Sequence, residues 1–296
     1  MPPHQHHRMS TVRERASVSY LLALPATLWM IGGLIVPILF IVWVSFWTTR
    51  EFALDNPLSL THYIKLFDKP VYLKLVGHTV LQTMVLMGIT LVLGYCMAYF
   101  IVGKVQRDGR KYLLIFLLII PFWTSALIRT IAWIPFLGVN GVINQSLIFL
   151  GLIDEPIGIF LYSRTGITLA QVSFYTLMAT GPVVYVMRNI PPSVLQAAQC
   201  LKASPFHVFW RITVPLTLPG ILIGQLLVFL NVMADFATAA AIGGNKFAYL
   251  GNLVLLLYDS GQLPFASVIA VVMMVCMLAG VAMMLKVVDI RRLGAL

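Results

Sequence analysis

The segment IPPSVLQAAQCLKASPFHVFWRITVPLTLPGI, residues 190–221, is a polar and amphipathic island between two long apolar stretches. Its residues predict two short helices joined by a turn. Ser193 with Gln196 three residues later matches a capping box at the start of the first helix. Ser204 followed by Pro205 matches the N-cap and the first helical position of the second helix.

The second predicted helix carries an aromatic face. Phe206, Phe209 and Trp210 share one side of it at i, i+3 and i+4 spacing. Pro215 and Pro219 are expected to end this helix before the chain becomes apolar again. A short helix with such a ridge, held at a membrane surface, suits docking into a groove on another protein.

The composition is that of an integral membrane protein. Of its 296 residues 60% are hydrophobic and 10% are charged, and the mean hydropathy is +0.92, whereas soluble domains contain about 25% charged residues. The net charge of +10 is interpreted as lysine and arginine in cytoplasmic loops rather than as a nucleic-acid surface. The three cysteines are isolated, so the sequence predicts neither disulfides nor a metal site. No GxxxxGK[ST] motif occurs, so the sequence offers no P-loop route to ATP hydrolysis.

Six stretches are long and apolar enough to cross a membrane, which takes about 20 residues. The predicted spans are approximately 20–47, 76–102, 112–137, 166–187, 219–242 and 264–287. They form one membrane domain, 19–287, with a loop at 188–218 and tails at 1–18 and 288–296. Placing both tails in the cytoplasm puts most of the 20 lysines and arginines on the inner side. The loop at 188–218 is then cytoplasmic too.

Asp235 is the most informative residue within the predicted spans. A carboxylate in the middle of a span costs about 2.5–3.5 kcal/mol, so it should face a partner or water. One interpretation is a cation site or the wall of a transport path. The other is an ion pair, with Arg129 as a candidate, or a cap on a broken helix. The small residues at 237–244 would allow close helix packing or unwinding.

A second group lies in PFWTSALIRTIAW, residues 121–133. Its aromatic faces and hydroxyl groups could hold an ammonium group by cation–π contact. Trp133 could equally be an anchor at the membrane interface. The residues predicted to line a path for the solute are Phe122, Trp123, Thr124, Arg129, Asn231, Asp235 and Thr238.

The island at 190–221 resembles the cytoplasmic "EAA" loop of ABC-importer permeases. With PFWTSALIRTIAW, LGVNGVIN and DFATAAAIGG, the chain resembles permeases of the spermidine/putrescine type. Three positions depart from the family pattern: Gln196 replaces Glu, Lys202 replaces Gly, and Ala239 replaces the Pro of the kink near Asp235. Lys202 should then adopt a turn conformation that glycine reaches about 1 kcal/mol more cheaply. The residues that the resemblance assigns to coupling with an ATPase are Gln196, Ala197, Ala198, Lys202, Ala203, Ser204, Pro205, Phe206, Phe209 and Trp210.

The resemblance implies an all-α membrane protein with six transmembrane helices, the type I ABC-importer permease fold and a cytoplasmic coupling helix. It implies a multi-pass protein of the bacterial inner membrane that imports a small cationic solute such as putrescine or spermidine by alternating access. The implied partners are an ABC ATPase dimer that uses ATP and Mg, a second and different permease chain, an extracytoplasmic substrate-binding protein and membrane lipid. No nucleic acid, metal or cofactor bound by this chain is expected, and no catalytic residue.

Other functions remain open on the residues alone. An ABC permease could carry another small solute, such as an amino acid or opine, iron or a phosphonate. A stand-alone secondary transporter could use Asp235 as an ion relay, but such proteins usually contain internal repeats, and none stands out. A membrane enzyme would need a nucleophile or metal cluster, which the isolated histidines do not supply.

Overall fold

The computed structural model describes the backbone of residues 5–50, 53–55, 58–105, 107–244 and 246–287. Side chains are described over 23–48, 58–105, 107–244 and 246–286. The predicted C-terminal tail at 288–296 lies outside the described residues, as do the side chains of the predicted N-terminal tail. A two-stranded antiparallel hairpin, β1 (Thr48–Arg50) and β2 (Ala53–Asp55), is the one piece of sheet in the described part.

The rest of the described chain is helices and their connections. The helices are α1 (Gln5–Val44), α2 (Thr61–Asp68), α3 (Pro70–Gly103), α4 (Asp108–Ile119), α5 (Ala126–Ala132), α6 (Ile134–Leu137), α7 (Val142–Phe149), α8 (Arg164–Arg188), α9 (Pro192–Cys200), α10 (Pro205–Val208), α11 (Val214–Met233), α12 (Ala237–Ala241), α13 (Leu250–Asp259) and α14 (Leu263–Val287).

Six helical runs in the described chain are long and apolar enough to cross a membrane. They are Ala23–Val44, Pro70–Gly103, Ala126–Phe149, Arg164–Arg188, Pro205–Met233 and Leu263–Lys286. Helices suit this solvent because each satisfies its own backbone hydrogen bonds. Large apolar side chains along α1, such as Trp29 at 83% exposed, form the kind of surface that a bilayer covers.

The centre of the fold is a tight pack of α3, α8 and α11, made possible by glycines. A Cβ on Gly220 would lie 2.7 Å from the carbonyl oxygen of Pro182, and one on Gly224 would lie 2.7 Å from that of Ala179. The backbones of α8 and α11 therefore touch directly, as small residues allow between membrane helices. A second apolar core around the fully buried Phe265 joins α2, α11, α13 and α14.

Two of the predicted spans are broken. The third, predicted over about 112–137, becomes α4, a 3-10 turn over Ile120–Trp123, an extended pair at 124–125, then α5 and α6. The fifth, expected over 219–242, is interrupted at 234–236 between α11 and α12. Hydropathy cannot reveal such breaks, because a window average is the same for a bent chain and a straight one.

The prediction that Pro215 and Pro219 end a helix is wrong. From α10 the chain passes through a π-helical turn, Phe209–Thr213, directly into α11, so that 205–233 is one helical rod. Pro215 follows directly after the π-helical turn, where the regular α-helical hydrogen-bond pattern is already interrupted. Pro219 lies inside α11, as membrane helices tolerate.

Candidate functional site

The break between α11 and α12 is organised by Asp235. One carboxylate oxygen accepts a hydrogen bond from the backbone N–H of Thr238 at 3.0 Å, and the other accepts from the Thr238 hydroxyl at 2.7 Å. The side chain therefore satisfies an open N–H group of α12, as a capping side chain does. The break forms although Ala239, and not the family's proline, lies in α12.

Helix α8 supplies the remaining donors to this carboxylate. The amide nitrogen of Gln171 donates to Asp235 at 2.9 Å and the hydroxyl of Tyr175 donates at 3.2 Å. Both side chains are buried. From α3 the amide of Gln82 donates to the amide oxygen of Gln171 at 3.0 Å, which turns the Gln171 amide nitrogen toward the carboxylate. Donors from two helices thus converge on one half-buried carboxylate, and a third helix orients one of them through Gln82.

Arg129 lies beside this network on α5. Its guanidinium stacks over the ring of Phe174 at 3.4 Å. It donates to the carbonyl oxygen of Pro121 at 2.7 Å and, more weakly, to that of Thr124 at 3.5 Å. Those carbonyls are available because the helix is broken there. The expected ion pair is therefore not what holds Asp235, whose donors are an amide, two hydroxyls and a backbone N–H.

Arg129 and Asp235 nevertheless line one cavity, together with Phe174, Tyr175 and Thr238. Its volume is about 30 Å³, room for one or two water molecules and too little for a diamine. The cavity brings together a carboxylate, an aromatic face and a cation that already lies over that face.

The other predicted path residues divide into two groups. Phe122 packs against Phe174 with ring centroids 5.3 Å apart, and the hydroxyl of Thr124 closes the turn by donating to a backbone carbonyl at 2.9 Å. Trp123 is 79% exposed on the outside of the break. The amide of Asn231 folds back onto its own helix at 2.9 Å and is exposed. Trp123 and Asn231 thus lie apart from the cavity.

Sequence reasoning missed Gln82, Gln171, Phe174 and Tyr175. The glutamines carried a usable signal, since each is a polar side chain inside an apolar span that must find a partner there. Their pairing with Asp235 was not readable, because the partners lie 64 residues apart for Gln171 and 60 for Tyr175.

The second candidate region is the loop between α8 and α11. The capping box predicted at Ser193 is wrong: α9 has Pro191 as its N-cap, no side-chain cap bond forms, and Ser193 lies inside the first turn. Pro192 at the first helical position pre-sets the backbone there instead. The prediction for the second helix is confirmed, because the Ser204 hydroxyl accepts from the backbone N–H of His207 at 3.3 Å.

The turn between α9 and α10 has the strained residue that the sequence indicated. Lys202 has φ +54°, the left-handed region that glycine occupies at lower cost. Gln196 and Ala197 are exposed on α9, whereas Ala198 is buried and Ala203 is half-buried.

The three predicted aromatic rings form a contact series, but only two of them are exposed. Phe206 is 72% exposed and Trp210 is 55% exposed, with ring centroids 6.3 Å apart. Phe209 is half-buried: its ring lies 5.2 Å from Trp210 and also meets Tyr95 and Tyr99 of α3 edge-on, at 5.7 and 5.3 Å. The π-helical turn that begins at Phe209 departs from the regular helix on which the predicted spacing relied. Two aromatic rings form the exposed ridge, and the third anchors the rod to α3.

Comparison with known proteins gives consistent results. The family model described as "Binding-protein-dependent transport system inner membrane component" matches residues 111–292. The chain is 33% identical to the spermidine/putrescine transport system permease protein PotB of Haemophilus influenzae, over 84% of this chain and 86% of that protein. It is 34% identical to PotB of Escherichia coli, over 76% and 81%.

A solved structure shares the fold. A chain from the crystal structure of a bacterial alginate ABC transporter, in complex with an alginate pentasaccharide-bound periplasmic protein, superposes with a TM-score of 0.72. The match covers 94% of this chain and 96% of that chain at 18% identity, a level that speaks for the fold alone. The predicted fold class, an all-α permease with six membrane-spanning helices, is confirmed.

Proposed function

The chain belongs to the family of binding-protein-dependent transport system inner membrane components, and we propose that the solute it carries is a polyamine such as putrescine or spermidine. It is a multi-pass inner-membrane permease of an ABC importer. The observation that supports a polyamine as the substrate is the similarity to two spermidine/putrescine permeases over at least three quarters of the chain. This membership does not favour a stand-alone secondary transporter, a membrane enzyme or a permease for an unrelated solute.

The proposed energy source is a separate pair of ATPase subunits that uses ATP and Mg. This pair would bind the loop between α8 and α11 from the cytoplasm. The exposed ridge of Phe206 and Trp210 is the proposed contact surface for the ATPase. The helical rod 205–233 would carry its movement about 40 Å along the helix axis to the break at Asp235. The proposed assembly also contains a second permease chain of different sequence. Both termini of the present chain are proposed to lie in the cytoplasm.

The cavity at Asp235 has the chemistry that an ammonium group needs. A carboxylate neutralises its charge, and the ring of Phe174 offers a cation–π face. In the present structure the guanidinium of Arg129 covers that ring at 3.4 Å. Arg129 is therefore proposed to act as a tethered cation that holds the site until an amine displaces it.

The experiment is reconstitution in liposomes with the proposed ATPase, second permease and binding protein. We expect ATP-dependent uptake of labelled putrescine that excess spermidine suppresses and excess glutamate does not. Uptake by this chain alone would contradict the coupling proposal. Suppression by glutamate and not by spermidine would contradict the cationic substrate.

Coupling is tested separately with Phe206→Asp. Because this ring is exposed, the variant should insert and fold normally while losing putrescine uptake and substrate-stimulated ATP hydrolysis. The matched control is Phe149→Asp, an equally drastic change at a ring that is 90% exposed on α7, away from the loop. Normal uptake by Phe206→Asp would show that the contact surface lies elsewhere.

A further inference from the structure

The turn between α3 and α4 contains a cationic pocket of about 470 Å³, and we propose that it binds the headgroup of an anionic phospholipid such as phosphatidylglycerol. Its described lining is Phe100, Lys104, Val105, Arg107, Arg110 and Leu114. Three of these six side chains are cationic and none is acidic.

The three positive charges are uncompensated. Among the described residues, the side chains of Lys104, Arg107 and Arg110 have no hydrogen-bond or ion-pair partner, and all three residues are exposed. The carboxylate of the turn, Asp108, lines a different cleft, under the loop between α8 and α11, with Lys111. Cations grouped beside an apolar span and left without counter-charge attract anionic lipid headgroups.

The position of the pocket favours a lipid over a soluble anion. Helix α3 is an apolar run of 34 residues that ends at Gly103, and α4 leads back from Asp108. The turn therefore lies where a bilayer passes from acyl chains to headgroups. Phe100 is 56% exposed and Leu113 is 56% exposed on the two helices that enter the turn, so an apolar surface continues from the cations into the membrane. A molecule with an anionic head and apolar tails matches both parts, whereas a free anion would use only the cations.

A second cationic pocket provides a matched control. Lys74, Arg164 and Lys246 line a cavity of about 400 Å³ at the opposite end of α3. Two of its cations already have aromatic partners, since Arg164 lies over Phe247 at 5.4 Å and Lys246 lies over Tyr162 at 5.7 Å. Removing three charges there changes the net charge of the protein equally, without touching the proposed lipid site.

The test is native mass spectrometry of the full chain, titrated with phosphatidylglycerol or with phosphatidylcholine. The wild type should retain phosphatidylglycerol at least about tenfold more tightly than phosphatidylcholine. Each cation near an anionic headgroup contributes roughly a fivefold preference, so K104Q/R107Q/R110Q should lose about a hundredfold in affinity for phosphatidylglycerol. The variant K74Q/R164Q/K246Q should bind it as the wild type does.

The proposal would be overturned if the wild type retained the two lipids equally, or if K104Q/R107Q/R110Q bound phosphatidylglycerol as tightly as the wild type. It would also be overturned if millimolar sodium phosphate displaced the lipid, because the pocket would then bind a free anion. The single variant Arg107→Gln, with a roughly fivefold expected loss, replaces the triple variant if the latter fails to fold. None of these readouts involves transport, so the inference stands or falls independently of the polyamine substrate.

Discussion

Replacing Asp235 by asparagine should destabilise the protein by about 2–4 kcal/mol and abolish amine uptake. The carboxylate accepts four hydrogen bonds, from Gln171, from Tyr175 and twice from Thr238. Hydrogen bonds to a charged group contribute about 1 kcal/mol more than neutral ones. Three of these donors, Gln171, Tyr175 and the Thr238 hydroxyl, reach the same oxygen, which asparagine can keep. Its nitrogen would then face the backbone N–H of Thr238, which loses its acceptor at a cost of about 1–3 kcal/mol. The relief of no longer burying a charge offsets part of this loss.

The assay is thermal unfolding of the detergent-purified chain, followed by tryptophan fluorescence. For a chain of 296 residues, 2–4 kcal/mol corresponds to a fall of roughly 3–6 °C in Tm. The control is Asp259→Asn, the same chemical change at an exposed carboxylate at the end of α13, which should leave Tm and uptake unchanged. If Asp235→Asn melted at the wild-type temperature, the carboxylate would not be held by these bonds. If it also imported putrescine normally, Asp235 would have no part in the solute path.

Three further predictions concern stability. Lys202→Gly should raise Tm by about 1–2 °C, because it relieves roughly 1 kcal/mol of strain at φ +54°. An unchanged or lower Tm would mean that the turn is not strained in solution. Gly224→Ala should lower Tm, because its Cβ would lie 2.7 Å from the carbonyl oxygen of Ala179. The overpacking costs about 1–3 kcal/mol, which exceeds the gain of about 1 kcal/mol in helix propensity. A higher Tm would show that α8 and α11 separate without cost. Burial, and to a lesser degree the charge of Lys65, lower the pKa of His62, so the unfolded chain binds the proton more readily than the folded one. The wild type should therefore lose stability as pH falls below about 6.5, and His62→Phe should show a shallower loss when Tm is measured between pH 7.5 and 5.5; identical slopes would contradict this origin.

The comparison of sequence with structure is clearest at the loop between α8 and α11. Ser204-Pro205 and Lys202 behaved as their chemistry indicated, because a cap and a left-handed residue depend on neighbours only a few positions away. Phe209 did so only in part. It contacts Trp210, but it is half-buried, because its ring also packs on Tyr95 and Tyr99 of another helix.

The membrane-embedded site shows the same division. Composition and the pattern of apolar runs determined that this is a membrane protein with six predicted spans. Each segment must by itself be apolar enough to avoid the cost of placing polar groups and charge in lipid. The same cost marked Asp235 as a residue that needs partners. Which partners it has, and whether a span is straight or broken, depends on how α3, α8 and α11 approach one another through Gly220 and Gly224. That approach joins Asp235 to Gln171 and Tyr175, 64 and 60 positions away, so only the tertiary structure could decide it.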